Sequence, residues 1–183
     1  FVGNVRVQRW KSGENEIVAV FRQTGNRETA EKWIHIRTFA GRRFVYDVRH
    51  GLPVGYGFGA KRDGVEGNWW VSDLVPTRAS FFALTPSKLV GCELELPKTA
   101  RRGQVLKAVV RVPNARGLHA VRLRARTPDG RRFEEWEQTV VTDAGGRAVR
   151  LPLALNDPAG QWELVLTDCF SAEATTRRTL MVE

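Results

Sequence analysis

Apolar and polar residues alternate with a period of two along most of this chain, and turn-forming residues interrupt the alternation at short intervals. The run from Leu153 to Asp168 shows the pattern most fully. Leu153 and Leu155 alternate with Pro152, Ala154 and Asn156, which predicts a half-buried strand. Asn156-Asp157-Pro158-Ala159-Gly160 then brings turn-capping side chains, a ring that fixes φ and a permissive glycine. Trp162, Leu164 and Leu166 resume the alternation on one face. Trp162 is therefore expected in a core between two sheets.

The same reading predicts strands at 5–10, 16–23, 33–39, 43–48, 69–74 and 80–84, with a short one within 52–56. The stretch 53–68, with five glycines, is expected to be an extended loop or a bent short strand. Further strands are expected at 93–96, 105–112, 120–127, 132–141, 148–155, 161–168 and 174–182. Strands spaced by turn signals every 8–12 residues or so are the pattern of an immunoglobulin-like sandwich. No stretch keeps a helical period. The expected fold is all-β, with two consecutive antiparallel β-sandwich domains at 1–88 and 89–183, the second immunoglobulin-like.

Composition changes this picture little. Of the 183 residues 42% are hydrophobic, enough for packed cores and too many for a disordered chain. No apolar run approaches the roughly 20 residues that span a bilayer. The chain opens at Phe1 without a charged-then-apolar leader, as expected of an excised piece of a longer, exported (periplasmic or extracellular) protein. Net charge is +9, from 29 Lys and Arg against 20 Asp and Glu. The arginines are scattered, and Arg122, Arg124 and Arg126 alternate with Val121, Leu123 and Ala125 as on a solvated sheet face. Binding of nucleic acid rests on net charge alone and is the weakest reading.

Four segments of the first half, Phe44-Val45-Tyr46-Asp47-Val48-Arg49, Leu52-Pro53-Val54-Gly55, Leu74-Val75-Pro76-Thr77-Arg78-Ala79 and Phe81-Phe82-Ala83-Leu84-Thr85-Pro86, carry a resemblance. They resemble the all-β C-terminal domains that follow the catalytic barrel in many glycoside hydrolases. Pro53 and Val54 depart from the pattern by separating the Leu from the Gly. Thr127-Pro128-Asp129-Gly130 and Asn156-Asp157-Pro158-Ala159-Gly160-Gln161-Trp162 resemble bacterial immunoglobulin-like modules of the macroglobulin type. Together they look like the tail of a multidomain, β-galactosidase-like bacterial protein. That resemblance implies catalytic carboxylates upstream and none carried into this region.

A glycosidase pair needs two carboxyl groups roughly 5–10 Å apart in a cleft. Nothing in the spacing of Asp47, Asp63, Glu66, Asp73, Glu134, Glu135 and Glu137 forces one. Asp47 reads instead as a strand-end residue that satisfies backbone donors or pairs with an Arg. His35, His50 and His119 are expected to be solvated or locally hydrogen-bonded, and no Ser sits in a nucleophile elbow. The segment 61–68 has calcium-ligand residue types without the required oxygen spacing. No catalytic residue, metal or cofactor is expected.

Trp69-Trp70 is the more informative pair. Adjacent strand residues point to opposite faces, so one indole enters the core and the other faces out. The outward ring, beside Asp63, Glu66 and Asn68, either packs on a neighbouring domain or stacks on a sugar whose hydroxyls those polar groups read. Trp10, Trp33 and Trp136 are expected on core or sheet-packing faces. Cys92 precedes the first strand of the second sandwich and Cys169 follows its sixth, which puts both at one end. A disulfide and two free thiols both remain open. The expected function is that of a non-catalytic accessory region of a larger glycoside-hydrolase-like protein, serving packing, spacing or oligomerisation. Its partner would be the upstream catalytic domain or another subunit. An autonomous carbohydrate-binding module with a polysaccharide partner, or a cell-surface adhesion domain, are the alternatives.

Overall fold

The computed structural model describes residues 5–22, 33–38, 41, 43–62, 65–73 and 79–183. The chain divides into two compact units, Phe1–Lys88 and Leu89–Glu183. Every regular element among the described residues is a β-strand, and the fold is all-β.

The first unit contains β1 (Val5–Ser12), β2 (Asn15–Arg22), β3 (Trp33–Thr38), β4 (Phe44–Asp47), β5 (Leu52–Pro53), β6 (Tyr56–Arg62), β7 (Val65–Asp73) and β8 (Ala79–Thr85). They form a five-stranded sheet in the order β1-β2-β8-β4-β5 and a three-stranded sheet in the order β3-β7-β6. Val18, Val20, Val45, Phe82 and Leu84 from the larger sheet meet Ile36 and Trp70 from the smaller in one buried cluster. The glycine-rich stretch is more regular than its composition predicts. It forms β6 and the start of β7, paired antiparallel, with a register shift between Phe58 and Ala60 that absorbs one extra residue. Glycine weakens a strand without forbidding it, and pairing with the well-anchored β7 decides the outcome. Trp10, expected on a packing face, is instead 48% exposed. The side chain of Trp33 lies outside the described residues.

The second unit contains β9 (Glu93–Glu95), β10 (Thr99–Ala100), β11 (Val105–Arg111), β12 (His119–Arg126), β13 (Arg132–Thr142), β14 (Arg147–Pro152), β15 (Gly160–Asp168) and β16 (Thr175–Val182). A three-stranded sheet, β14-β11-β9, faces a five-stranded one, β10-β16-β15-β12-β13. This is an immunoglobulin-like sandwich. Pairing is antiparallel except where the two-residue β10, which the periodicity does not reveal, runs parallel to the end of β16.

The run from Leu153 to Asp168 forms the turn and the second strand expected of it, but not the first strand as expected. β14 ends at Pro152, and Leu155 is 79% exposed rather than inward. Leu153 still exchanges backbone bonds with Gln104 and Gly103, after which the Asp157 carboxylate accepts from Ala154 N at 2.7 Å and turns the chain. Trp162 is buried against Trp136 (centroids 5.1 Å apart) and Phe133 (4.8 Å). Both indole N–H groups are satisfied. Trp136 donates to Pro152 O at 2.7 Å and Trp162 to Pro158 O at 2.9 Å, so the turn is tied to the core it precedes.

Two expectations follow from this packing. Gly160 has φ +123, and a Cβ there would lie 2.9 Å from the rigid Pro128 ring. Gly160→Ala should cost about 1–3 kcal/mol in denaturant unfolding; a loss below about 0.5 kcal/mol would mean that the turn relaxes freely. The second concerns Trp70, whose Nε1 is buried without a partner among the described residues, unlike that of Trp162. Trp162→Phe should therefore destabilise its own unit more than Trp70→Phe does the other, by about 1 kcal/mol. Equal losses in the two unfolding transitions would show that the Trp162 hydrogen bond contributes nothing net.

Candidate functional site

Strand β7 runs without a bulge, so its parity assigns each side chain a face. Asn68 and Trp70 are fully buried, whereas Trp69 is 41% exposed and Val71 is also outward. Trp70 packs edge-on against Phe82, with centroids 5.3 Å apart. The expected split of the Trp pair is thus present, with Trp70 inside and Trp69 outside.

Register places Arg37 opposite Trp69 and His35 opposite Val71 on β3, and both β3 residues are exposed. The His35 and Trp69 rings lie 6.4 Å apart and are tilted by 31°. On the other side Trp69 pairs with Gly57 of β6, which brings no side chain against the indole. The outcome is a small aromatic and apolar face, Trp69 and Val71, edged by two nitrogen-bearing side chains.

Of the polar residues expected around this ring, Asn68 and Glu66 are directed elsewhere. Asn68 points into the unit, and its amide is used twice: Oδ1 accepts from Arg43 N at 2.8 Å and Nδ2 donates to Arg43 O at 2.7 Å. It therefore fixes the entry to β4, and its full burial keeps it from a sugar hydroxyl. Glu66 shares the parity of Asn68, not of Trp69, and already has a partner. Asp63 lies outside the described residues, as does the side chain of Asp73. Among the described residues no three His, Cys, Asp or Glu side chains are grouped to hold a metal ion.

Asp47, His119 and Asp168 are engaged within the fold. Asp47 Oδ1 accepts from Arg49 N at 2.9 Å and His50 N at 3.2 Å, as a strand-end carboxylate should, and its side-chain partner is His50 at 2.8 Å rather than an arginine. His119 is neither solvated nor locally bonded. It is buried with its Nδ1 2.7 Å from Asp168 Oδ2, and its ring packs on Phe170 with centroids 4.9 Å apart. Asp168 Oδ1 also accepts from Phe170 N at 2.7 Å. Forty-nine residues separate the pair, which only the antiparallel register of β12 with β15 (Val121 opposite Asp168) brings together. Sealed from solvent, it clamps the end of the sandwich and has no access to a substrate.

Cys92 and Cys169 are both free thiols, not a disulfide. Cys92 Sγ donates to Ala174 O at 3.1 Å. The two are near enough, beside Asp168, to feel each other's charge. Burial first, and then the Asp168 carboxylate, push the Cys92 thiol from 9.0 up to about 12. Burial also raises Cys169. Neither thiol is set up as a nucleophile.

Sequence comparison finds no matching family model and no matching curated protein. Among solved structures the chain is similar to a protein from Corynebacterium diphtheriae described as membrane anchored, at 12% identity and a TM-score of 0.35. The match covers 97% of this chain and 53% of that one, so the chain spans about half its length. No helix among the described residues is long and apolar enough to cross a membrane.

The raised Cys92 thiol predicts a pH dependence. The folded chain holds this proton more tightly than the unfolded one, so the corresponding stability is complete below about pH 9 and is lost as pH rises toward 12. Between about pH 8 and pH 10, wild type should lose more stability in urea than Cys92→Ala does. Identical losses would show that the thiol is not held protonated by the fold.

Proposed function

We propose that this chain is a non-catalytic, two-module region of a larger exported protein, of the accessory kind found beside glycoside hydrolase barrels. It works by packing the outer face of the β3-β7-β6 sheet on a neighbouring domain or subunit. The observation that carries this reading is the exposure of Trp69 next to Val71, on a sheet whose inner face is already closed by Trp70. Removing the remaining indole surface from water is worth about 2 kcal/mol, a gain that a flat protein contact collects. Asn68 and Glu66 are turned away from that face, so among the described residues neither of these two side chains is placed to read a sugar held on Trp69. Carbohydrate stacking is the second reading, favoured by the exposure of the Trp69 ring with the hydrogen-bonding side chains of His35 and Arg37 at its edge.

The two readings separate experimentally. Packing predicts no retention on neutral polysaccharides, together with a blue shift of Trp emission when this region is studied within its longer parent chain. Trp69→Phe should abolish most of that shift. Retention on a neutral polysaccharide that Trp69→Ala removes without changing the unfolding midpoint would overturn packing in favour of sugar binding.

A further inference from the structure

On β12, Arg122, Arg124 and Arg126 are exposed while Val121, Leu123 and Ala125 are buried. Same-face residues on a strand repeat about every 6.8 Å, so the three guanidinium groups stand in a row. Opposite these arginines β15 offers half-buried side chains, with Glu163, Val165 and Thr167 in register with Arg126, Arg124 and Arg122. Beyond it, β16 sets the exposed Arg177 opposite Val165. Arg124 and Arg177 therefore stand about 10 Å apart, two strand spacings, on either side of one short apolar side chain. The result is a trough floored by β15 and walled by arginine.

The walls are held in place. Glu137 of β13 is mostly buried; its Oε2 accepts from Arg132, and its Oε1 lies within ion-pair distance of Arg122 Nε (3.2 Å) and Arg124 Nε (3.5 Å) without a hydrogen bond to either. One carboxylate has two oxygens for three guanidinium groups with five N–H donors each, so donors remain after these pairs form. Across the floor, Arg177 pairs with Glu163 at 2.7 Å. Cations still outnumber carboxylates along the trough, on a chain whose net charge is +9. A depression of about 340 Å³ opens beside the row, lined by Arg122 and Arg132, by the carboxylates of Glu134 and Glu137, and by the uncharged Gln138 and Thr139, so the excess of positive charge lies along the row and not in this depression.

We infer that this face binds a linear anionic glycan, one that carries carboxylate or sulfate groups along its length. Guanidinium forks match such groups geometrically. The hydroxyls of Thr167 on the trough floor and Thr175 beside it on β16 lie 3.0 Å apart; Thr175 also reaches Ala172 O at 2.7 Å, so Thr167 is the one placed to meet a hydroxyl of a sugar chain. Single-stranded nucleic acid is disfavoured because it needs aromatic platforms. The unit's large aromatics Trp136 and Trp162 are buried in the core, not on this face. The inference is independent of the Trp69 reading, since it lies in the other unit and concerns charged polymers.

The test measures binding of the full chain to polygalacturonate and to heparin, with dextran, oligo(dT) and poly-glutamate as comparisons. Both anionic glycans should bind at low salt and dextran should not. Arg122→Gln, Arg124→Gln and Arg177→Gln combined should weaken glycan binding by about tenfold or more. The same charge removed from the other sheet (Lys107→Gln, Arg147→Gln and Arg150→Gln) should change it by no more than about twofold. Glu163→Gln, which frees Arg177, should tighten binding, an outcome that does not depend on how the triple variant folds. Trp69→Ala should leave it unchanged. No glycan binding at low salt, an equal loss in the control triple, no tightening in Glu163→Gln, or stronger binding of oligo(dT) or poly-glutamate would each overturn the inference.

Discussion

Successive side chains of a β-strand leave opposite sides of the sheet, and this constraint governs both units of the chain. Once one face of a strand is committed to a core, every second residue is committed to the outside. Trp70 buried against Phe82 obliges Trp69 to face out. Val121, Leu123 and Ala125 in the core oblige Arg122, Arg124 and Arg126 to stand on the surface in a line. The surfaces available for function are thus the complement of the packing pattern.

The cores show how polar atoms are reconciled with burial. In the second unit the indoles of Trp136 and Trp162 hand their N–H groups to carbonyls of Pro152 and Pro158, at the two ends of the connection between β14 and β15. That connection is held by its neighbours, not merely placed between them. At the other end of β15, His119 and Asp168 satisfy each other, and Asp168 also satisfies the backbone of Phe170. Removing either partner would take a hydrogen bond from a buried polar group, at a cost of about 1–3 kcal/mol. These clusters contain the residue types of catalytic sites, yet their burial makes them fasteners.

The periodic parts of this structure were legible in the sequence, and the exceptions share one cause. Alternation with a large aromatic places Trp162 in the core and divides Trp69 from Trp70, because both outcomes depend on local parity. Where a residue's role depends on which strand lies beside it, local pattern is silent. The His119–Asp168 contact needs the β12–β15 register, and the use of Asn68 by Arg43 needs the approach of a segment 25 residues away. Leu155 misleads for a related reason. Its alternation is intact, but Asp157 has already turned the backbone, so the side chain covers Gly103 instead of entering the core. The row of arginines is visible in the sequence, while its opposing wall on β16 is not, because Arg177 meets it only across β15.

An outer sheet face is an economical place for recognition, for a reason rooted in the backbone. Inside a sheet the N–H and C=O groups are consumed by neighbouring strands, so a ligand on the face meets side chains alone. Those side chains contribute little to the core, and exposed ion pairs such as Arg177–Glu163 are worth at most about 1 kcal/mol. Exchanging them alters the surface chemistry without disturbing the sandwich beneath. Asn68 shows the contrary case, a buried polar side chain whose amide serves the fold by bonding both the N–H and the C=O of Arg43. In the first unit this separation leaves an aromatic face suited to close packing, which acts only at contact. In the second it leaves a cationic trough whose attraction reaches about 8 Å through physiological salt. One scaffold rule thus yields two surfaces of different range, and the difference lies entirely in the residues at the outward positions.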